Sequence, residues 1–167
     1  MENVTGDLFA EPRVDLPETT APAAVLAPSH AVLPRAADAA TAGQVLYIED
    51  TQANVRLMQR LMARRPGVEL LHGADGRAGL KIFDEHEPEL VMLDLHLPDM
   101  SGEDVLQRIR DRAAGRQPTI VILSADASPL QRERLLSNGA DVYLTKPLSV
   151  PEVLDLLDRT LTARRVA

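Results

Sequence analysis

The chain has 167 residues with 45% hydrophobic and 2% aromatic side chains and a formal net charge of −7. That size suits one domain with an appendage, and the negative balance argues against nucleic-acid binding by the chain alone. There is no cysteine, which excludes disulfides, thiolate metal sites and cysteine nucleophiles and fits a reducing compartment. No apolar run approaches the roughly 18 residues of a membrane span, and no basic-then-apolar leader opens the chain. A cytoplasmic protein without a membrane segment is the expectation.

Residues 1–43 read as a Pro/Ala-rich flexible linker or tail, because Pro12, Pro17, Pro22, Pro28 and Pro34 interrupt any helical or strand period. Residues 44–165 alternate regularly. Val45–Ile48 predicts a strand that runs into Glu49-Asp50. Asn54–Arg65 carries Val55, Met58, Leu61 and Met62 at helical spacing, and Pro66-Gly67 ends it. Val68–Leu71 predicts a second strand. Asp75–His86 predicts a weaker helix with Ala78, Ile82 and Phe83 inward, where Gly76 and Gly79 each cost about 1 kcal/mol against Ala.

Leu90–Asp94 predicts the third strand, with a carboxylate at the end of four apolar residues. A helix over Glu103–Arg112 turns Val105, Leu106 and Ile109 inward. Thr119–Leu123 is β-branched and predicts the fourth strand. Ser128-Pro129 reads as an N-cap and first helical position, with Asn138-Gly139 as the stop. Asp141–Thr145 predicts the fifth strand. Val150 to about Ala163 closes the series, with Val153, Leu154, Leu157 and Leu161 on one face.

Five strands alternating with five helices imply an α/β fold, a doubly wound parallel sheet with helices on both faces. Ligands in such sheets bind beyond the carboxyl ends of the strands. Glu49-Asp50, Asp94, Ser124 and Thr145-Lys146-Pro147 stand at those ends. Each alone reads as a turn or a cap; together at separate strand ends they read as a site. Three carboxylates repel unless cations join them. Lys146 supplies one charge, and the remaining deficit suits a hard divalent cation such as Mg²⁺. A carboxylate nucleophile, a metal, an ammonium and a hydroxyl are the parts of phosphoryl transfer to an aspartate.

The segments "VLYIED", "LVMLDLHLPDMSG", "IVILSA" and "DVYLTKP", in this order and spacing, resemble the receiver (CheY-like) domains of two-component response regulators. The resemblance spans about Gln44 to Ala163. It implies a flavodoxin-like (βα)5 fold with strand order 2-1-3-4-5. It also implies that Asp94 accepts a phosphoryl group from a histidine kinase or phosphotransfer protein. Asp50 and Asp94 then bind Mg²⁺ directly, Glu49 acts through water, and the His96 backbone carbonyl is a further ligand. Ser124 hydrogen-bonds the phosphoryl group, Lys146 pairs with it, the Lys146–Pro147 bond is cis, and Tyr143 is the switch aromatic that follows Ser124.

Two residues differ from the family's usual pattern, and two more are expected to tune the site. Glu49 stands where many members carry Asp, and Gly79 where Ala is usual, a change expected to weaken the second helix without touching the site. The resemblance also implies that His96 and Asp126, both polar, stand at positions that tune the lifetime of the phosphorylated state in this family. His30, His72 and His86 read as linker or surface residues.

Three other functions compete. A phosphorylation-independent pseudo-receiver is disfavoured by the intact Glu49, Asp50, Asp94 and Lys146. A haloacid-dehalogenase-type phosphatase needs a second aspartate two residues after its nucleophile, where this chain has His96. A flavin binder needs a phosphate-cradling loop after the first strand, where "EDTQAN" is acidic. No DNA-binding output domain is expected in this chain, and both a stand-alone receiver and the receiver end of a hybrid histidine kinase fit the Pro/Ala segment.

Overall fold

The computed structural model describes residues 41–113, 115 and 117–163; the Pro/Ala stretch up to residue 40, with His30, and the Arg164-Arg165 pair lie outside them. In chain order the elements are β1 (Ala42–Ile48), α1 (Gln52–Met62), β2 (Gly67–Gly73), α2 (Gly76–His86), β3 (Leu90–Asp94), α3 (Gly102–Arg112), β4 (Thr119–Ser124), α4 (Pro129–Ser137), β5 (Val142–Thr145) and α5 (Val150–Ala163). The strands form one sheet in the order β2-β1-β3-β4-β5, and every pairing is parallel. The doubly wound, flavodoxin-like expectation holds.

Alternation along the strands divides the core. Val45 and Tyr47 of β1, with Leu90 and Met92 of β3, face Val55, Met58 and Leu61 of α1 and Val153, Leu157 and Leu161 of α5. Leu46 and Ile48, with Val91 and Leu93, face Leu80 and Phe83 of α2, Val105 and Ile109 of α3, and Leu135 of α4. Burying each such aliphatic side chain contributes roughly 1.5–3 kcal/mol. Strands covered on both faces have no polar side to show, which is why β3 is buried from Leu90 through Asp94.

Strand β1 starts at Ala42, before the apolar run. Ala42, Gly43 and Gln44 extend the ladder against Gly67, Val68 and Glu69 of β2. They are half-buried, so backbone pairing rather than apolar content places them in the sheet.

Helix α2 differs from its predicted face. Gly76, Gly79, Leu80 and Phe83 are its buried residues, while Ala78 and Ile82 are half-buried. A Cβ on Gly79 would lie 2.4 Å from Ile48 Cδ1, and a Cβ on Gly73 would lie 2.7 Å from the Gly79 Cα. The two glycines let the helix seat directly on β1 and β2, so Gly79 is a close-packing residue and not merely a weak helix former. In α5, Leu156 is buried along with Val153, Leu157 and Leu161, and Leu154 only packs against the edge of that cluster.

The helix ends follow the expected chemistry. Ser128 accepts from the Gln131 N–H ahead of α4, with Pro129 at its start, and Gly139 follows its end at φ +104°. Ser101 caps α3 through the Asp104 N–H at 3.1 Å. The Lys146–Pro147 peptide is cis.

Candidate functional site

Because all five strands run parallel, their carboxyl ends share one edge of the sheet, and the central strands β1, β3 and β4 bring their last residues together there. The chain turns at Glu49 immediately after β1. Its N–H still pairs with the Gly73 carbonyl at 3.0 Å, so the side chain keeps the face of Tyr47 and points inward.

Glu49 is fully buried. Its Oε2 accepts from the Tyr47 hydroxyl at 2.9 Å and from Lys146 Nζ at 2.7 Å, and its Oε1 accepts from the Thr51 N–H at 3.2 Å. Burial pushes this carboxyl up, but hydrogen bonds from Lys146, Asn54 and Tyr47 outweigh it and hold the group below the ordinary carboxylate range. The same burial, with the charge of Glu49 beside it, raises the Tyr47 phenol.

Asp94 closes β3 and is 6% exposed. Its Oδ1 accepts from the His96 N–H at 3.1 Å, and its Oδ2 accepts from Lys146 Nζ at 2.6 Å. Lys146 thus bridges two carboxylates from different strand ends. Burial pulls the ammonium down, yet the hydrogen bonds and charges of Asp94 and Glu49 raise it above its ordinary value. Asp50 is exposed at the mouth, where it accepts from Thr51 Oγ1 at 3.2 Å. One oxygen from each of Glu49, Asp50 and Asp94 falls within a 4.8 Å group. Three carboxylates face one ammonium, an all-oxygen donor set of the kind a small hard dication takes.

Ser124 ends β4 fully buried. Its carbonyl accepts from the Lys146 N–H at 2.7 Å, and its Oγ accepts from the Asp126 N–H at 3.1 Å. The buried Tyr143 donates its hydroxyl to the Asp126 carbonyl at 2.5 Å. Ser124 and Tyr143 therefore meet at one residue, on opposite sides of its main chain. The Asp126 carboxylate turns away to the Ser128 N–H at 2.7 Å.

Of the residues named from sequence, the structure brings Glu49, Asp94 and Lys146 into direct contact, with Asp50 in the same acidic group and Ser124 and Tyr143 linked through Asp126. The His96 side chain is exposed, and its main chain meets Asp94 through the N–H.

Three contributors were not visible in the sequence reading. Tyr47 reads as core filling, although its period-two spacing from Glu49 on one strand carried the signal. Asp99 reads as a turn residue, yet its carboxylate accepts from the Gly76 and Arg77 N–H groups at 2.8 and 3.0 Å and so caps α2 from the β3–α3 loop. His72 is a correction: rather than a surface side chain, it is half-buried on β2 with Nε2 2.8 Å from the Glu49 carbonyl.

The family model for the response regulator receiver domain matches residues 45–158. Among curated proteins, the polar-differentiation response regulator DivK of Brucella ovis is 29% identical over 113 residues, 68% of this chain and 91% of that protein. Two solved receiver domains match over most of the chain. The receiver of a putative LuxO repressor protein from Vibrio parahaemolyticus superposes with a TM-score of 0.69 at 27% identity, covering 75% of this chain and 94% of that one. The receiver of the sensor histidine kinase PA1611 from Pseudomonas aeruginosa, which has a magnesium ion coordinated in its active-site cleft, superposes with a TM-score of 0.64 at 26% identity, covering 72% and 98%. With this match along the whole sheet and every motif at its strand end, the chain belongs to the response regulator receiver family and carries a phospho-accepting receiver domain of two-component signalling.

Proposed function

We propose that Asp94 is the phosphoacceptor and that residues 44–165 act as the receiver unit. The observation that carries this is the bridge from Lys146 to Asp94 Oδ2 at 2.6 Å, at the end of a wholly buried strand. An Asp94 oxygen attacks the phosphorus of a phosphohistidine on a histidine kinase or phosphotransfer protein. A P–O bond forms, the P–N bond breaks, and the imidazole leaves with the bonding electron pair and takes up a proton. Lys146, already against Asp94, turns its ammonium to the incoming oxygens. Ser124 releases the Asp126 N–H and presents its hydroxyl to them.

The donor set fits Mg²⁺, with Asp50, Asp94 and the His96 backbone carbonyl as its protein ligands and Glu49 acting through water. When bound, the ion neutralises charge between the carboxylates and the phosphoryl oxygens. Because Asp126 bonds both Ser124 and Tyr143, a shift of Ser124 disturbs the hydroxyl of Tyr143, and that pair constitutes the switch. The chain modifies itself and then signals through a changed surface or passes the group on, rather than turning over a substrate. The proposed compartment is the cytoplasm, where such kinases present their phosphohistidine.

The intact four-residue site speaks against a pseudo-receiver. The exposed His96, where a dehalogenase-type phosphatase needs its acid, speaks against that enzyme. Incubation with acetyl phosphate and Mg²⁺ followed by intact-mass measurement tests the reading. One phosphoryl adduct is expected on the natural chain and none on Asp94→Asn; an unmodified natural chain or an undiminished adduct on the variant overturns it.

A further inference from the structure

Tyr47 is 1% exposed and sits among the apolar side chains between the sheet and helices α1 and α5. A phenol there has no need of its hydroxyl for packing, and a buried hydroxyl requires a partner. The partner is Glu49 Oε2, the same oxygen that accepts from Lys146. Residues two apart on a strand lie on one face, about 6.5–7 Å apart, so the long phenol reaches along β1 to a long acid. A glutamate at position 49 extends its carboxylate back over the strand to meet that hydroxyl and the ammonium together.

The consequence concerns Lys146. Its ammonium is divided between Glu49 and Asp94. When Asp94 carries a phosphoryl group, the new oxygens draw the ammonium away from Glu49. A fully buried carboxylate resists giving up its cation unless other donors remain to satisfy it. Those that remain here are the buried Tyr47 hydroxyl, the Thr51 N–H and the Asn54 side chain.

We infer that Tyr47 is a positioning residue for phosphoryl transfer: its hydroxyl keeps the Glu49 carboxylate satisfied, so that Lys146 is released to the phosphoryl group on Asp94. This rests on the proposed role of Asp94 and Lys146. Tyr47 itself touches neither the phosphoryl group nor the metal. Without the hydroxyl, Glu49 Oε2 keeps the Lys146 ammonium at 2.7 Å while the Thr51 N–H serves Oε1, and the carboxylate holds that ammonium back more strongly.

The test uses the full chain and beryllofluoride, a phosphoryl mimic, with Mg²⁺. In Tyr47→Phe the ring is kept and one hydroxyl is lost. Beryllofluoride affinity is expected to fall about tenfold, the scale of one hydrogen bond to a charged group, while the affinity for Mg²⁺ alone changes less than about twofold. In a Glu49→Gln background the same substitution is expected to have little further effect on beryllofluoride, because the carboxylate it served is gone. A purely structural role for the hydroxyl would weaken both ligands alike and persist in that background.

A second readout needs no variant at position 47. The chain has two tyrosines and no tryptophan, so Cζ-labelled tyrosine yields two carbon resonances, assigned with Tyr143→Phe. The Tyr47 resonance is expected to shift when beryllofluoride and Mg²⁺ bind and to stay nearly still with Mg²⁺ alone. A Tyr47→Phe chain with the natural affinity for beryllofluoride, or a Tyr47 resonance unmoved by it, overturns the inference and leaves the Asp94 reading standing. A natural chain that neither binds beryllofluoride nor takes a phosphoryl group from acetyl phosphate overturns both.

Discussion

Gly102 lies against the main chain of Asp94: a Cβ placed on it would come within 2.4 Å of the Asp94 carbonyl oxygen and 2.7 Å of the Leu95 Cα. Its N–H also donates to the Leu95 carbonyl at 2.9 Å. The first turn of α3 is therefore seated on the end of β3, and the atoms in the way are backbone, which cannot rotate aside. Gly102→Ala should cost about 1–3 kcal/mol of stability through overpacking, seen as a lower denaturant midpoint. The acetyl-phosphate rate should fall as well, because the displaced segment carries Asp94. An alanine variant with natural stability would show that the loop gives way freely.

Lys146→Met should be the most costly change in the site. It leaves Glu49 and Asp94 buried without their common cation, a loss of about 3–5 kcal/mol for a broken buried pair at neutral pH. The pH dependence follows from the shifts. In the natural chain burial pushes Glu49 up, but its hydrogen bonds win and the native group is depressed. Its stabilisation is thus present above the ordinary carboxylate value of about 4.3 and is lost as pH falls through the native value. Burial pulls Lys146 down, but Asp94 and Glu49 raise it; its share is complete below about 10.4 and is lost as pH rises through the native value. In Lys146→Met burial of Glu49 is no longer offset by the ammonium, so stability should recover as pH drops from 7 toward 5. Chemical denaturation at a series of pH values, with chelator present, measures this.

Gly79→Ala sets helix propensity against packing. Alanine gains about 1 kcal/mol in the helix, but its Cβ would meet Ile48 Cδ1 at 2.4 Å and Cγ1 at 2.8 Å, and Ile48 is fully buried. A net loss of about 1–2 kcal/mol is expected. Ile48→Val removes the clashing Cδ1, so the double variant should be more stable than the sum of the two single changes. Thermal melts of the four proteins give the coupling. Additivity within about 0.5 kcal/mol would place the strain elsewhere.

Asp99→Ala should detach the β3–α3 loop from α2. Burial raises the Asp99 carboxyl, but the Gly76 and Arg77 N–H groups that it accepts hold it below its ordinary value. Losing them should cost about 1 kcal/mol, the scale of an N-cap, and amide exchange should quicken over the first turn of α2 before the rest of the helix. The 4.0 Å approach of the exposed Arg77 guanidinium adds little at the surface, so Arg77→Ala should leave stability within about 0.5 kcal/mol.

Much of the fold was legible because its signals are local. The run Leu90–Leu93 buries both faces of a strand and has no other use for four successive apolar residues. Ser128-Pro129 and Asn138-Gly139 bracket α4 by capping chemistry that depends only on neighbouring residues. The site was legible at the level of strand ends for the same reason: Glu49, Asp94, Ser124 and Lys146 each follow a readable strand, and a parallel sheet collects such ends on one edge.

What was missed depended on distance across the fold. The inward face of α2 is not legible in sequence because glycines carry no hydropathy signal, whereas helix and sheet meet at Gly79 and Gly73. His72, an isolated histidine on a half-polar strand, reads as exposed because nothing in its own segment reveals the Glu49 carbonyl, just past the end of β1, that stands opposite it. Asp99 looked like a turn because its partners lie 22 and 23 residues away in sequence.

Sequence alone determined the order of elements, the parallel sheet and the set of charged groups at its edge, since period, capping and strand-end position are properties of short segments. Tertiary structure alone decided how those charges are apportioned. Glu49 is buried rather than open, Lys146 lies between two carboxylates rather than facing one, and a core tyrosine is part of the site. Those outcomes depend on which side chains meet although they stand 97 and 52 residues apart in the chain, and on a burial energy that makes each hydrogen bond to a charge count.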